Sequence, residues 1–558
     1  MASPHQRVFV GPLSLTTTTT FNSDHADVHS NFHSERTPLL RSRPRHPTKA
    51  PLPPTSSDDC ASFNSASDDD GSSTDAEDRL VDESHLDQWD LWKQETWNLL
   101  KYGIPVFGTQ LLEQSLTITS VISVGHVSTS ALAAVTLGSM TANVTGLSIL
   151  HGFASALDTM LPSAWTSEHP ELVGLWCQRM AIILAVLCAP IITVWMNAES
   201  ILLVLKQDAE VARLAAVYLR WLCLGLPAYA FNCIARRQFQ SIGLFSAPTQ
   251  IILIVAPVNV FLNWFLVWGP QSVRLGYVGA AVATAVSFNL IALLSLLYWI
   301  FLTPAGAWHP LSSRMFESLP LLMKLGAAGV GQIASEWWAW ELIGLAASLL
   351  GPVALAVQSV LLETCSTTYQ APFALSMATS VRIGNLLGER NARRADAACK
   401  TSLLISLVFS VVSCTALLAL RHSWARLFSD SEEVISMTAE ILPIVAIFQV
   451  FDGAAGVVNG IMRARGIQIT GAVLNLTAYY VVGIPLGLVL TFKAGMGLDG
   501  LWYGITLALV YCSVVGGWIC LRTNWVSEVE KTVKRLEHEK KKHEEATIRS
   551  EAATLHNA

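Results

Sequence analysis

This chain of 558 residues carries little charge, since Asp, Glu, Lys and Arg make up only 14% of it. Its ten cysteines form no CxxC pair and no Cys/His cluster, so neither a structural zinc site nor a disulfide framework is indicated. The apolar segments contain no HExxH, GxSxG or paired-Asp motif, which disfavours an intramembrane enzyme. No basic patch interleaved with aromatic residues suggests nucleic-acid binding.

Hydrophobic residues, by contrast, make up 52% of the chain, and its mean hydropathy is +0.43. These values are typical of a polytopic membrane protein. The two ends, 1–90 and 524–558, are polar, and most apolar residues lie between them. No apolar signal-peptide core precedes Leu86, so we expect the first membrane helix to act as the targeting signal and to stay in the protein.

The N-terminal stretch is rich in Ser, Thr, Pro, Asp and His, and a stretch of this kind buries too little apolar surface to fold. We therefore predict a disordered cytoplasmic tail over 1–88. Within it, SERTPLLR fits an acidic dileucine sorting signal through Glu35, Leu39 and Leu40, although motifs this short also recur by chance. As a signal, it indicates an adaptor protein as partner and a vacuolar or lysosomal membrane, with the plasma membrane as the alternative.

Twelve hydrophobic segments follow, from 99–124 to 497–521, and they predict an all-α polytopic membrane protein. If both termini are cytoplasmic, the inner loops hold most of the cations, including Arg236, Arg237, Arg393 and Arg394, as the positive-inside rule requires. The predicted divisions are the tail at 1–88, an N-lobe of six helices at 89–302, an inter-lobe cytoplasmic loop at 303–318, a C-lobe of six helices at 319–521, and a cytoplasmic C-terminal helix or tail at 522–558.

A weak internal repeat supports two lobes related by a pseudo-two-fold axis. A shift of 223 residues, the separation of Glu113 and Glu336, also lays Lys101 on Lys324 and Gly243 on Gly466. Because an even number of helices separates the copies, both lobes share one orientation, with the axis along the membrane normal. Transporters place their substrate and coupling-ion sites near the midplane of such a repeat interface.

The segment from Leu319 to Leu350 is long enough to cross the membrane, yet it holds Glu336 and Glu341 near its middle. A carboxylate there costs at least about 2.5 kcal/mol, so it normally faces a protein interior or an aqueous cavity. The alternative is a pair of acids that only holds helices together. Nearby Trp337, Trp338 and Trp340 offer ring faces to an organic cation, or else serve as packing bulk.

Further acids that look buried lie at Glu113, Asp158, Glu363 and Asp452. A carboxyl group in a low-dielectric cleft can hold a proton or pair with a cation, but not both at once. This competition is the simplest chemistry for exchanging protons against a cationic substrate.

The chain resembles the eukaryotic branch of the multidrug and toxic compound extrusion family, whose seventh helix reads close to EWWAxE, here Glu336 to Glu341. The resemblance covers roughly residues 99–521. The further matching motifs are VGHVSTSALAAVTLG, TGLSILHGFASALDT, PAYAFNCIARRQFQSIG, PVNVFLNW, GYVGAAVAT, ATSVRIGNLLGE, FDGAAGVVNGIMRARG and GAVLNLTAYYVVGIPLG.

The resemblance implies a twelve-helix, two-lobe antiporter that exports organic cations and other amphipathic compounds in exchange for protons, without a cofactor. Sodium coupling is an alternative, and so is a lipid or lipid-linked-sugar flippase, which a strongly cationic cleft would favour. The implied proton-coupling and substrate-binding residues are Glu336, Glu341, Glu363 and Asp452, and the implied cleft residues are Gln110 and Asn143, joined by Glu113, Trp337, Trp338 and Trp340. We expect a monomer whose partners are small organic cations or amphipathic molecules and membrane lipids, with no nucleic acid.

Three features depart from the family pattern. The stretch Ser163 to Thr166 replaces the usual Gln-Ala-x-Gly, and Trp340 replaces a tyrosine. Glu113 is an acid in a lobe where eukaryotic members often lack one.

After the last membrane segment, NWVSEVEKTVKRLEHEKKKHEEA has only a narrow stripe of valine and leucine, which favours a solvated helix over a partner-binding one.

Overall fold

A computed structural model describes residues 87–125, 127–429 and 431–556. Throughout these ranges the chain forms helices joined by short connections, without a strand. Helices satisfy every backbone polar group internally, as a hydrocarbon solvent requires. The sorting motif at Glu35, Leu39 and Leu40 and nearly all of the tail at 1–88 lie outside the described residues, so both stay predictions.

The twelve predicted membrane helices are confirmed. We number them α1 to α12, followed by the C-terminal α13: α1 Gln88–Gly125, α2 Ser130–Trp165, α3 Leu172–Met196, α4 Ala209–Ser241, α5 Ser246–Trp268, α6 Val278–Leu302, α7 Leu319–Ser348, α8 Pro352–Gly388, α9 Ala392–Trp424, α10 Glu432–Arg465, α11 Gln468–Lys493, α12 Leu498–Leu521 and α13 Trp525–His556.

Among the described residues, nine of these helices are long and apolar enough to cross a membrane on their own account. The remaining three membrane helices are α1, α7 and α8, and they carry Glu113, Glu336 and Glu363. Acids of this kind are tolerated in a membrane only where a protein interior or a cavity receives them. The least apolar helices should therefore line the interior of the protein.

Each lobe has its own hydrophobic core, and α1 and α7 cross between them. The N-lobe core also takes in Leu322 and Leu325 from the beginning of α7. The C-lobe core includes Leu99 from the first half of α1, together with Ala339 and Ile343 from the second half of α7. The two lobes are therefore interleaved on the side of the membrane where the chain's described ends lie, here called the termini side.

Glycine allows α2 and α7 to pack backbone against backbone. A Cβ on Gly152 would lie 2.6 Å from the Cα of Val330, so no larger residue fits there without moving α7. Packing at this distance holds His151 of α2 beside Trp337 of α7, with ring centroids 6.3 Å apart.

Polar contacts close the seam between the lobes on the termini side. Thr166, directly after α2, donates a hydrogen bond to the Asn385 carbonyl of α8, at 2.7 Å. Gln468 of α11 donates to the Ser155 carbonyl of α2, at 3.1 Å. Buried Glu95 of α1 accepts two bonds of 2.7 Å from Arg382. These contacts tie α2 to α8 and α11, and the first half of α1 to α8, on this side.

Two predictions about the polar segments are wrong. The helix α13 is not solvated all round, because one face, with Trp525, Glu528 and Glu539, is buried against the membrane domain. The cations Arg236 and Arg237 do not lie in a loop, because α4 continues to Ser241 and carries them into the interior. In both cases charged side chains enter the protein by pairing with buried partners.

Candidate transport site

A cavity of about 280 Å³, here called the N-lobe cavity, lies among α1, α2, α4, α5 and α6. It extends from the middle of these helices toward the far side, opposite the termini. The predicted cleft residues Gln110, Glu113, Asn143 and Trp337 line it. Asn143 opens a π-helical turn, Asn143–Leu147, a distortion that often marks functional sites.

Glu113 has a cation beside it in this cavity. Both of its carboxylate oxygens accept hydrogen bonds from the guanidinium of Arg236, one of them at 2.9 Å. The same guanidinium donates to Gln110 at 3.2 Å. Such bidentate pairing lets each group compensate the charge of the other.

A second, smaller cavity of about 40 Å³ lies where α2, α4, α7, α8 and α10 meet, and we call it the seam cavity. Glu336, Tyr369 and Asn459 line it from the C-lobe side. Four residues line both cavities, so the two spaces adjoin: His151, Arg237, Trp337 and Phe373.

The floor of the seam cavity is a buried ion cluster that joins the lobes. Asp158 of α2 lies between two arginines, 3.0 Å from the Nε of Arg237 in α4 and 3.2 Å from the Nε of Arg463 in α10. Arg463 also donates to the hydroxyl of Ser376, at 3.1 Å. Removal of one partner from such a cluster leaves an uncompensated buried charge, which is strongly destabilising.

Two acids of the C-lobe, Glu336 and Asp452, differ because they lack such partners. Within the described residues, neither Glu336 nor Asp452 accepts a hydrogen bond or forms an ion pair. Asp452 is buried, and it interacts electrostatically with Glu336. Arg463 acts on Glu336 from across the seam cavity, and Tyr369 and Tyr479 each interact electrostatically with both Glu336 and Asp452.

The three tryptophans take different positions. Trp337 lines both cavities and stacks on His151. The indole of Trp338 donates to the Val144 carbonyl of α2 at 3.2 Å, so it bridges the lobes. Trp340 packs against Phe448 and Trp502 in the C-lobe core, at 5.5 and 5.8 Å between ring centroids. Of the three, only Trp337 is placed to meet a molecule in the cavities.

The two remaining candidate acids, Glu341 and Glu363, are half-buried, and neither lines the two cavities. The structure thus brings Glu336 close enough to Asp452 for the two to interact, although Asp452 itself lines neither cavity, and it does not bring Glu341 or Glu363 into these spaces. Sequence reasoning missed the roles of Arg237 and Arg463 beside Asp158. A signal was available, since both arginines directly follow apolar helical segments with no turn residues between.

Comparisons with known proteins agree with this architecture. The sequence profile of the MatE family matches residues 105–265 and 330–489, one match in each lobe. The crystal structure of the eukaryotic MATE transporter AtDTX14 superimposes with a TM-score of 0.75 at 30% identity, and the match covers 80% of this chain and 99% of that one.

Similar full-length sequences include an uncharacterized transporter of Schizosaccharomyces pombe, 36% identical over 79% of this chain and 81% of its own length. Mouse multidrug and toxin extrusion protein 2 is 35% identical over 78% of this chain and 75% of its own. Human multidrug and toxin extrusion protein 1 is 31% identical over 78% and 76%.

Proposed function

Because the chain belongs to the MatE family of integral membrane transporters, we propose that it is a secondary antiporter that exports organic cations, drugs or other xenobiotic or secondary-metabolite compounds in exchange for protons. Such a protein is a transporter and not an enzyme. Its cargo site is the N-lobe cavity with the adjoining seam cavity, and its proton carriers are Glu336 and Asp452.

The observation that carries this proposal is the difference in pairing between acids. Glu113 and Asp158 each lie against an arginine, whereas Glu336 and Asp452 have no ion-pair partner among the described residues. A paired carboxylate keeps its charge, while an unpaired carboxyl group in a desolvated site can take up a proton. Only the second kind can exchange a proton for a cation during a transport cycle.

The direction of exchange follows from competition. A proton on Glu336 or Asp452 removes a negative charge that attracts a cationic substrate, so acidification on the exposed side weakens substrate binding. By linkage, substrate binding must release protons. If the far side faces a compartment more acidic than the cytoplasm, protons entering there displace the cargo into it.

The lining of the cavities suits an aromatic or amphipathic cation. Trp337, Tyr229 and Phe373 supply ring faces, and Gln110 and Asn143 supply polar groups that can orient a ligand. A cation held over such a ring gains about 0.5 to 2 kcal/mol.

The charge distribution weighs against the flippase alternative. A phosphate headgroup needs unpaired cations, yet Arg236 is paired with Glu113 and Arg237 with Asp158. Sodium coupling at Glu336 and Asp452 remains the alternative within the same antiport, and it requires oxygen ligands that either carboxylate could supply.

The deciding experiment is uptake of a fluorescent organic cation into proteoliposomes, with an imposed pH gradient and, separately, an imposed sodium gradient. We expect the pH gradient alone to drive accumulation above the level of protein-free liposomes. Accumulation driven only by sodium would overturn proton coupling, and accumulation driven by neither would overturn antiport.

The membrane in which the protein works is proposed from its tail. With both termini cytoplasmic, Glu35, Leu39 and Leu40 are available to an adaptor that sorts cargo to a vacuolar or lysosomal membrane. Replacement of Leu39 and Leu40 by alanine should divert the tagged protein to the cell surface. An unchanged distribution of the double variant, seen by microscopy, would leave the motif without a sorting role.

A further inference from the structure

The helix α13 is anchored to the C-lobe at its beginning. It follows α12 after a connection of a few residues, so it is covalently tied to that lobe. Glu528 pairs with Arg465 at the end of α10, with Oε1 and Nη2 3.3 Å apart. The Arg465 guanidinium also lies 5.9 Å from the ring centroid of buried Trp525. Val529 packs against the C-lobe core.

Three turns later the same helix is anchored to the N-lobe. Glu539 pairs with Arg179 of α3, with Oε2 and Nη1 2.9 Å apart, and both side chains are almost fully buried. Arg179 in turn lies over the Trp176 ring, at 4.4 Å. Leu536 packs against the N-lobe core, and Lys540 lies 4.0 Å from Glu168 in the connection between α2 and α3.

These two anchors lie on opposite sides of the lobe seam. Eleven residues of helix separate Glu528 from Glu539, which is roughly 16 Å. A transporter whose lobes rock about a central site must separate them on the termini side during its cycle. Because a helix cannot stretch, the two anchors cannot both persist when the seam opens by more than a side chain's reach.

We propose that α13 is a latch that holds the termini side closed, and that its N-lobe anchor, Glu539 with Arg179, must release before the cleft opens toward that side. The C-lobe anchor stays intact throughout, because α13 is continuous with α12. This inference rests on the proposed antiport, and it assigns to the C-terminal helix control over the step that admits cargo from the termini side.

The first test measures opening in the full-length chain without relying on transport. A single cysteine at Ser163, a buried position on α2 that packs against Gly388 of α8, reports seam opening through its rate of reaction with a water-soluble thiol reagent. In a background whose native cysteines are replaced by serine, Glu539→Gln should speed this reaction roughly tenfold or more, because breaking a buried ion pair is costly. The matched control is Glu537→Gln, an exposed acid on the same helix, which should leave the rate unchanged.

The second test locks the latch. A reversible bis-methanethiosulfonate crosslink between cysteines at Glu168 and Lys540 ties α13 to the N-lobe, and it should stop proton-driven uptake until a reducing agent is added. Cation binding should persist in the crosslinked protein, which shows that the site is intact. A crosslink between cysteines at Arg465 and Glu528, within the C-lobe anchor, should leave uptake unchanged.

Undiminished uptake with the Glu168–Lys540 crosslink formed, or equal cysteine reactivity in Glu539→Gln and Glu537→Gln, would overturn the latch. Uptake by the uncrosslinked protein tests the antiport separately, so the two proposals fail in distinguishable ways.

Discussion

Glu113 and Glu336 occupy equivalent places in the two lobes, related by the shift of 223 residues, but they have different surroundings. Both carboxylate oxygens of Glu113 accept hydrogen bonds from Arg236. The same shift from Arg236 leads to Asn459, a neutral residue that lines the seam cavity and accepts a hydrogen bond from Gln332 at 2.9 Å. At these equivalent positions both lobes therefore have the acid, and only the N-lobe has the cation.

A second exchange strengthens the contrast. The shift lays Tyr229, which lines the N-lobe cavity, on Asp452 in the C-lobe. At these two pairs of equivalent positions the N-lobe has one acid, which is paired with an arginine, and the C-lobe has two acids that interact with each other. Two lobes with the same fold can therefore have different roles in transport. A single neighbouring residue decides whether a carboxyl group keeps its charge or exchanges a proton.

The largest effect should come from Glu336→Gln, which keeps the shape of the side chain but cannot bind and release a proton. We expect proton-driven uptake in proteoliposomes to fall to the level of protein-free liposomes, with folding and membrane insertion intact. The equivalent change in the N-lobe, Glu113→Gln, should keep uptake coupled to the pH gradient. Wild-type uptake rates in a well-inserted Glu336→Gln variant would contradict the assignment of Glu336 as a proton carrier.

Asp158→Asn should produce the largest loss of stability. It leaves Arg237 and Arg463 buried without their shared anion, which costs about 3 to 5 kcal/mol for a buried pair. The midpoint of thermal unfolding in detergent measures this loss. The control is Glu168→Gln, an exposed acid whose removal should change the free energy of unfolding by about 0.5 kcal/mol or less. Equal midpoints for the two variants would show that the cluster does not hold the lobes together.

Arg236→Asn makes the N-lobe resemble the C-lobe, because it gives Glu113 the neutral neighbour that Glu336 has. An unpaired carboxylate in the N-lobe cavity should attract an organic cation more strongly, by roughly tenfold in affinity for a partly screened charge. Equilibrium binding of a fluorescent cation at neutral pH checks this. The double variant Glu113→Gln with Arg236→Asn should cancel the gain, and a gain that survives in it would mean that Glu113 is not its source.

A smaller effect distinguishes the tryptophans. Trp337→Leu should weaken cation binding by about 0.5 to 2 kcal/mol through loss of a ring face. Trp340→Leu should change affinity less and lower the unfolding midpoint more, because Trp340 packs between Phe448 and Trp502. The reverse ranking in a binding titration would place Trp340, and not Trp337, at the cargo.

The sequence predicts the membrane helices well because length and apolarity are local properties. Glu336 is found in the same way, since an acid in an apolar segment stands out. A cation normally ends a membrane segment, and for this reason the sequence predicts Arg236 and Arg237 in a loop. Arg237, Arg382 and Arg463 instead continue their helices, because they find acids at Asp158 and Glu95, far away in the sequence.

The remaining errors have the same cause. The helix α13 packs against the protein although its apolar stripe is narrow, because ion pairs as well as apolar contacts hold it there. Its partners Arg179 and Arg465 are distant from it in the sequence, so no local pattern reveals these pairs. The position of Trp340 depends on Phe448 and Trp502, which no local pattern reveals. Partner identity across the lobes is information that a single sequence does not carry.

The most direct test of the central claim counts the protons that leave when a cation binds. Calorimetry in buffers of different ionisation enthalpy gives this number between pH 5 and 8. Because protons and cation compete for Glu336 and Asp452, wild type should release protons and bind more weakly as pH falls. Asp452→Asn should bind less tightly with a shallower pH dependence. A count of zero for wild type across this range would contradict direct competition at these acids.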